Sequence, residues 1–132
     1  RDPTVICAVG VVEYRMAIPL IIETGDRVLE IGCARGTTIA MASKHIGSPA
    51  DGGVCVGIDM GKVCIENSRK DHEQLLEKSS HVSFEVGNGW DVSGLLKLSP
   101  YFNVIFVDIG GISGSDGEFE GISFIRQLMC VF

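Results

Sequence analysis

The stretch that most constrains this chain of 132 residues is VLEIGCARGTTIAMA, at residues 28–42. An apolar run that contains the acid Glu30 stops at two glycines, Gly32 and Gly36, and a helix-forming segment follows at once. Glycine adopts turn conformations that other residues resist, and the N-terminus of a helix attracts anions. The order strand, glycine turn and helix therefore predicts a turn whose bare backbone N–H groups face a ligand.

The spacing of the glycines separates this turn from a dinucleotide-binding fingerprint. That fingerprint reads G-x-G-x-x-G and places its ribose-binding acid about 20 residues later. Here Gly32 and Gly36 are four residues apart, Ala34 holds the middle position, and the acid Glu30 precedes the first glycine. A nicotinamide-dependent oxidoreductase is therefore a poor interpretation, whereas an ordinary turn of a doubly wound sheet stays open as an alternative.

Apolar runs and helix-forming segments alternate along the rest of the chain. Central strands are predicted at residues 28–31, 54–59, 80–86 and 101–108, the third of them near an edge. Helices are predicted at residues 37–45, 62–78, 92–98 and 118–132. This alternation predicts an α/β fold with a doubly wound, mostly parallel sheet and right-handed crossovers, which binds ligands at the carboxyl ends of its strands.

Several local features refine this prediction. Residues 4–12 are β-branched and apolar, which predicts a strand or an extended segment, and a short helix is expected to begin near Pro19. Tyr14 or Arg15 either reaches the ligand site or belongs to a solvated patch. His72 and His81 are assigned to the polar surface. The inner helix faces are expected to carry Val63, Cys64, Asn67, Leu75 and Leu76 in one helix, and Phe119, Ile122, Ile125 and Leu128 in the last.

Composition limits the classes of function. The net charge of −6 argues against a broad electrostatic grip on nucleic acid by this chain alone, without excluding RNA. No apolar run approaches the roughly 18 residues of a membrane span, so no membrane association is expected. Five cysteines without CxxC pairs or zinc-ligand spacing predict an intracellular, reducing compartment, either the cytoplasm or an organelle. Cys33 alone lies in the glycine turn, where a reactive thiol is a minor alternative.

The spacing Glu30-x-Gly32-x-Ala34-x-Gly36 resembles motif I of the class I S-adenosylmethionine (SAM)-dependent methyltransferases. That motif is usually (Asp/Glu)-x-Gly-x-Gly-x-Gly, so Ala34 replaces the second glycine. The resemblance covers residues 25–111 and implies a Rossmann-like methyltransferase fold with S-adenosyl-L-methionine as cofactor. A weaker, local likeness to fibrillarin-type RNA 2′-O-methyltransferases lies in the residues GTT at 36–38 and the strand NVIFVD.

The resemblance also implies roles for individual residues. The turn from Gly32 to Gly36, with Cys33 and Ala34, would approach the amino acid part of SAM. Glu30 would orient the turn or reach the SAM ammonium through water. Asp59, followed by Met60, would accept hydrogen bonds from both ribose hydroxyls, although a strand-terminal Asp also caps helices.

The third and fourth turns carry the remaining candidates. Asn88 and Gly89 would read the adenine, and Trp90 either flanks the adenine or packs in the core. Asp108 precedes Gly110 and Gly111 at the position of motif IV, where it either orients or deprotonates a methyl acceptor or has a purely structural role.

The family fold has seven strands, and only four central strands are predicted here. The chain begins at Arg1, so a fragment or processed product is expected. We interpret residues 1–23 as an N-terminal segment and residues 24–132 as a SAM-binding domain that is C-terminally incomplete. A partner chain or a homodimer is expected to cover the open sheet edge. The function predicted is methyl transfer to an unidentified acceptor, RNA or a small molecule. The alternative is a non-catalytic structural subunit of a larger complex.

Overall fold

A parallel four-stranded sheet forms the centre of the protein. The computed structural model describes residues 4–98, 101–109 and 115–132. The strands are β1 (Arg27–Ile31), β2 (Val54–Asp59), β3 (Val82–Val86) and β4 (Val104–Val107), in the order β3-β2-β1-β4. All neighbours pair in parallel. This arrangement confirms the predicted α/β, Rossmann-like fold, and it confirms that the third strand lies at an edge.

The register of β1 explains why the candidate residues converge. Val28 pairs with Cys55 and Val104, and Ile31 pairs with Ile58 and Val107. The carboxyl ends of β1, β2 and β4 therefore lie level with one another. Since β1 is covered on both faces, its residues from Val28 onward are buried, which is why the run is apolar rather than alternating.

Seven α-helices flank the sheet in the described part of the chain. They are α1 (Val11–Met16), α2 (Ile18–Ile21), α3 (Thr37–Ala42), α4 (Lys62–Asp71), α5 (Glu73–Lys78), α6 (Val92–Leu98) and α7 (Ser115–Val131). A short 3-10 helix, Pro49–Asp51, precedes β2. None of the described helices is long and apolar enough to cross a membrane.

The two faces of the sheet bury two separate apolar clusters. One contains Val28, Phe84 and Phe106 and is covered by α2, α3, α4 and α5. The other contains Leu29 and Ile31 and is covered by α6 and α7. Alternate residues of β1 thus enter opposite clusters, because successive strand side chains point to opposite faces.

For residues 4–12 a strand or an extended segment was predicted, and the structure shows no strand there. Residues 4–8 have no regular secondary structure, and Val11 and Val12 belong to helix α1. β-Branched residues favour strands only when a neighbouring strand offers a pleated surface. Here the segment instead packs Tyr14 against the core, and the buried Ile18 of α2 belongs to that core.

The predicted helix over residues 62–78 is divided at His72 into α4 and α5. The residues that α4 buries are Ile65 and Ser68, whereas Val63, expected on the inner face, is 68% exposed. Leu75 and Leu76 do pack against the core from α5, as predicted. A single helical period drawn through both segments misplaces the inner face because the chain changes direction between them.

Helix α7 is also rotated relative to the prediction. Its buried residues are Phe124 and Leu128, while Phe119 and Ile122 are exposed. Leu128 was expected on the inner face and is buried, Phe119 and Ile122 were expected there and are exposed, and Phe124 is buried although it was not expected there. Several apolar residues lie all round this helix, so periodicity alone does not select the face that packs.

The outer side of β4 is an edge of the described sheet. The expected partner chain or homodimer at this edge stays a prediction.

Gly36 and Gly52 have the same backbone geometry, so substituting each of them distinguishes the cost of backbone strain from the cost of steric overlap. Gly36 and Gly52 have φ near +80°, but a Cβ on Gly36 would overlap the ring of Phe84, whereas a Cβ on Gly52 would meet no atom within 4 Å. We expect Gly52→Ala to lower the unfolding free energy by about 1 kcal/mol, from backbone strain alone. Gly36→Ala should cost about 3 kcal/mol because Phe84 must also move. Urea unfolding measures both, and equal losses would contradict the packing explanation.

Candidate functional site

The turns that follow β1, β3 and β4 lie in direct contact. A Cβ on Gly32 would overlap the carbonyl oxygen of Asp108, and a Cβ on Gly89 would overlap the side chain of Ile31. The Asp108 N–H also donates to the Ile31 carbonyl at 2.9 Å. The glycines therefore allow three strand ends to approach more closely than any side chain would permit.

The glycine turn after β1 is held by its own backbone N–H groups. The N–H groups of Gly32 and Cys33 both donate to the Ile58 carbonyl at 2.9 Å. Gly36 N–H donates to the Cys33 carbonyl at 2.7 Å, and Ala34 N–H donates to Asp59 Oδ2 at 3.0 Å. The expectation of bare N–H groups is therefore wrong for these four residues, because three of the groups attach the turn to β2 and that of Gly36 closes the turn on Cys33.

Ala34 is the one described residue other than glycine with a positive φ, of 45°. An L-residue in the left-handed region is less stable by about 1–2 kcal/mol because its Cβ approaches the backbone. The family motif places glycine at this position, where the conformation carries no such cost. The turn of this chain is consequently under local strain that surrounding contacts must offset.

Asp59 joins the glycine turn to the end of β2. Its Oδ2 accepts from Ala34 N–H at 3.0 Å, and its Oδ1 accepts from Gly61 N–H at 2.8 Å. The carboxylate is half-buried, and the next residue, Met60, is 68% exposed. Each carboxylate oxygen has two lone pairs, so Asp59 retains capacity for a further donor on both oxygens.

The third turn carries an exposed amide, Asn88, whose oxygen already accepts a backbone hydrogen bond. The Asn88 side chain is exposed, but its Oδ1 accepts from the backbone N–H of Trp90 at 3.0 Å. The Trp90 ring packs on Phe124 of α7, with ring centroids 4.6 Å apart, and 39% of the residue stays exposed. The structure thus brings Gly89 to the turn after β1, while Trp90 packs mainly against α7.

Helix α1 lies over the acid of the glycine motif. Tyr14 Oη donates to Glu30 Oε1 at 3.4 Å, and its ring contacts Phe106 edge-on with centroids 5.3 Å apart. Arg15 Nε donates to Thr38 Oγ1, also at 3.4 Å. Tyr14 thus contacts the acid of the glycine motif and Arg15 contacts helix α3, and a contact of either residue with the ligand stays a prediction.

Glu30 is an acid buried in an apolar cluster. Only 2% of it is exposed, and its Oε2 has no hydrogen-bond partner among the described residues. Burial raises the pKa of Glu30 to about 7, against its ordinary 4.5, and the nearby charge of Asp108 adds to this effect. Hydrogen bonds from Thr38 and Tyr14 oppose the rise. Glu30 therefore keeps its proton to a higher pH than an ordinary glutamate does.

Cys33 is also buried, with 5% of the residue exposed. Burial raises the pKa of its thiol to about 12, and the charges of Glu30 and Asp59 act in the same direction. Because the thiolate is the nucleophilic form, Cys33 is an inert part of the turn.

Asp108 is exposed at the end of β4. The negative charge of Asp108 contributes to the raised pKa of Glu30, so the two carboxylates are close enough to interact electrostatically. Gly110 and Gly111, the other residues of the predicted fourth turn, lie outside the described residues. A catalytic role for Asp108 stays a prediction.

Contacts from α4 were missed by the sequence analysis. Ser68, Asp71 and His72 all bond to Ala34 or Arg35 of the glycine turn. The signal in the sequence is a serine among the apolar residues of an amphipathic helix. No group of three potential metal ligands occurs in the part of the chain that the structure describes.

Two surface cavities flank the site without covering the turn. One, of about 720 Å³, lies between α3 and the junction of α4 and α5, and Thr37 and His72 contribute to its wall. The other, of about 560 Å³, lies between Trp90 and α7. Neither of these two cavities is lined by Gly32, Asp59 or Asp108.

Comparison with known families gives a match over most of the chain. The family described as protein-L-isoaspartate(D-aspartate) O-methyltransferase matches residues 5–113. A comparison with individual curated proteins finds no match.

Solved structures of methyltransferases are similar to this chain. A protein-L-isoaspartate O-methyltransferase is 25% identical, with a TM-score of 0.56, and the match covers 81% of this chain and 31% of that one. Fibrillarin from Aeropyrum pernix, with natively bound S-adenosyl-L-methionine, is 17% identical, with a TM-score of 0.61 and coverages of 86% and 47%. A SAM-dependent methyltransferase from Geobacter sulfurreducens, in complex with S-adenosyl-L-homocysteine, is 21% identical, with a TM-score of 0.58 and coverages of 90% and 44%. The chain thus spans about a third of the first structure and less than half of the other two.

The raised pKa of Glu30 predicts an unusual dependence of stability on pH. The folded chain binds this proton more tightly than the unfolded chain, so the unfolding free energy should fall as the pH rises from about 4.5 to about 7. The full difference corresponds to about 3 kcal/mol. Glu30→Gln, which carries no charge, should remove most of this fall.

Urea unfolding at pH 5 and pH 8 measures the effect. The exposed Glu77→Gln is the matched control and should keep the fall seen in the unsubstituted chain. The same fall in Glu30→Gln as in Glu77→Gln would show that another group causes it.

Proposed function

The chain belongs to the protein-L-isoaspartate(D-aspartate) O-methyltransferase family of class I SAM-dependent methyltransferases, and on this premise we propose its function. It binds S-adenosyl-L-methionine, the cofactor of the superfamily, at the carboxyl ends of β1, β2 and β3. It supports transfer of the methyl group to the carboxylate of an L-isoaspartyl residue. We propose this activity for a chain that spans only 31% of the similar isoaspartate methyltransferase structure.

The position of Asp59 is the observation that carries this proposal. Its carboxylate ends β2 beside the glycine turn and is bonded to Ala34 N–H. The remaining lone pairs of both oxygens suit two adjacent hydroxyls of a ribose, which are donors at a similar separation. Because two backbone N–H groups already orient the carboxylate, it is held ready for such a ligand rather than free to rotate.

The neighbouring residues fit the rest of the cofactor. Gly32 and Ala34 leave little side-chain bulk on the turn that would contact its amino acid part. Asn88 is exposed in the third turn, where its amide group accepts or donates, and Gly89 keeps that turn close to β1. When bound, S-adenosyl-L-methionine supplies a methyl group activated by a positive sulfonium.

A carboxylate acceptor agrees with the chemistry of this chain. Its oxygen is ionised at neutral pH and attacks the methyl carbon directly, the carbon–sulfur bond breaks, and a methyl ester and a neutral thioether result. No proton has to be removed, so the protein needs only to align the acceptor and exclude water. A ribose hydroxyl would need a base, and the net charge of −6 also disfavours RNA.

A non-catalytic role is the second candidate, and one observation favours it. The outer side of β4 is an edge in the described sheet, and an uncovered edge of a parallel sheet is a template for another strand. In this alternative, a partner chain or a second copy pairs with β4, and the chain serves as a structural subunit.

Cofactor binding tests the first part of the proposal. Titration of S-adenosyl-L-methionine by calorimetry should give saturable binding, and Asp59→Asn should weaken it about ten-fold, or 1.4 kcal/mol, since one ribose acceptor is lost. The control is Asp51→Asn, at the opposite end of β2, which should bind as the unsubstituted chain does. Absence of binding by the folded chain would leave the structural role.

The acceptor is tested with paired peptides. We expect transfer of a labelled methyl group to a peptide containing L-isoaspartate and not to the same peptide containing ordinary aspartate. Transfer to an RNA oligonucleotide instead would overturn the carboxylate proposal while leaving the cofactor site intact.

A further inference from the structure

We propose that the end of helix α4 is a clamp that holds the glycine turn in its binding conformation, with Ser68 as the principal positioning residue. The inference rests on the proposed binding of S-adenosyl-L-methionine and names residues that act through the turn rather than on the cofactor. The clamp consists of Ser68, Asp71 and His72, and it acts on Ala34 and Arg35.

Ser68 bonds to the strained residue of the turn. It is fully buried, and its Oγ lies 2.6 Å from the Ala34 carbonyl oxygen and 2.9 Å from the Cys64 carbonyl oxygen of its own helix. A hydroxyl has a single hydrogen, and the shorter distance assigns it to Ala34. A buried serine in a helix ordinarily donates its hydroxyl hydrogen to the carbonyl four residues earlier in the same helix. Ser68 instead bonds to Ala34, 34 positions away, and so connects α4 to the glycine turn.

Two further contacts hold the next residue. His72 Nε2 lies 3.0 Å from the Arg35 carbonyl oxygen, which as an acceptor requires the hydrogen on Nε2. Asp71 accepts from the guanidinium of Arg35, with Nε at 2.9 Å. Three residues at the C-terminal end of α4 thus bond to two consecutive residues of the glycine turn.

Ala34 is held from both sides. Its N–H donates to Asp59 at the end of β2, and its carbonyl accepts from Ser68 in α4. The two peptide groups that flank an α-carbon determine its φ and ψ, so bonds to both of them define the left-handed conformation, which alanine alone disfavours. With glycine at this position, no such restraint would be needed.

The junction between α4 and α5 also contributes to the clamp. His72 lies at that division, and its ring stacks on Phe84 with centroids 5.6 Å apart. Phe84 in turn lies against Gly36, the last residue of the glycine turn. The clamp therefore contacts the turn at Ala34 and Arg35 directly, and at Gly36 through a ring.

A double-mutant cycle on cofactor affinity tests the clamp. Ser68→Ala should weaken binding of S-adenosyl-L-methionine about ten-fold, because the turn loses its restraint. Ala34→Gly should bind at least as tightly as the unsubstituted chain. In the Ala34→Gly background, Ser68→Ala should cost less than two-fold, since glycine adopts the left-handed conformation without strain and the restraint then has no strain to offset.

A purely structural role for Ser68 predicts equal losses in both backgrounds, and that result would overturn the inference. The matched control is Ser43→Ala, which removes a serine hydroxyl that bonds within its own helical segment, to the Ala40 carbonyl. We expect this variant to bind the cofactor like the unsubstituted chain.

Amide hydrogen exchange separates failure of the clamp from failure of the proposed function. Without any cofactor present, Ser68→Ala should raise exchange at Ala34 and Gly36 at least ten-fold and leave Leu29 in β1 unchanged, and Ala34→Gly should suppress the rise. If the chain binds no S-adenosyl-L-methionine but the exchange result holds, the proposed function fails and the clamp stands. Unchanged exchange at the turn would overturn the clamp whatever the cofactor does.

Discussion

The structure depends on the close approach of two strand ends, where Gly32 lies against the carbonyl of Asp108. No side chain fits between them, so the turn after β1 rests directly on the end of β4. A Cβ on Gly89 would overlap the side chain of Ile31, so the turn after β3 also lies close to the end of β1. The two glycines therefore bring the ends of β1, β3 and β4 together. The glycines of the motif are thus explained by packing before any ligand is considered.

Glu30, the acid of the motif, is buried although a carboxylate is more stable in water. Glu30 lies on β1 with its side chain in an apolar cluster, beneath Tyr14 of α1 and beside Thr38 of α3. A buried carboxylate is unfavourable unless it is paired or protonated, and only one of its oxygens has a partner among the described residues. Through Tyr14 and Thr38, Glu30 joins α1, which precedes the sheet, to α3, which follows the glycine turn.

Much of the fold was predictable because it depends on local patterns. Four strands and the α/β class follow from buried apolar runs separated by turns, and the glycine turn follows from its spacing. The strand expected at residues 4–12 and the inner faces of α4 and α7 were not predictable. Strand formation needs a neighbour, and the face of a helix that packs depends on what lies opposite. Asp59 was located correctly at the end of β2, whereas the engagement of Asn88 with Trp90 N–H required the turn geometry.

The amino-acid sequence by itself determined the order of strands and helices, the glycine turn and the strand-terminal acids, because these follow from properties of neighbouring residues. Only the tertiary structure decided which distant groups complete the turn. Ser68 and Asp59 reach Ala34 from two separate elements, and they offset the strain of its positive φ. Such contacts join residues 25 and 34 positions apart, and no local pattern records them. The physical reason is that a buried hydrogen bond depends on where two elements meet in space, which the packing of the whole sheet determines.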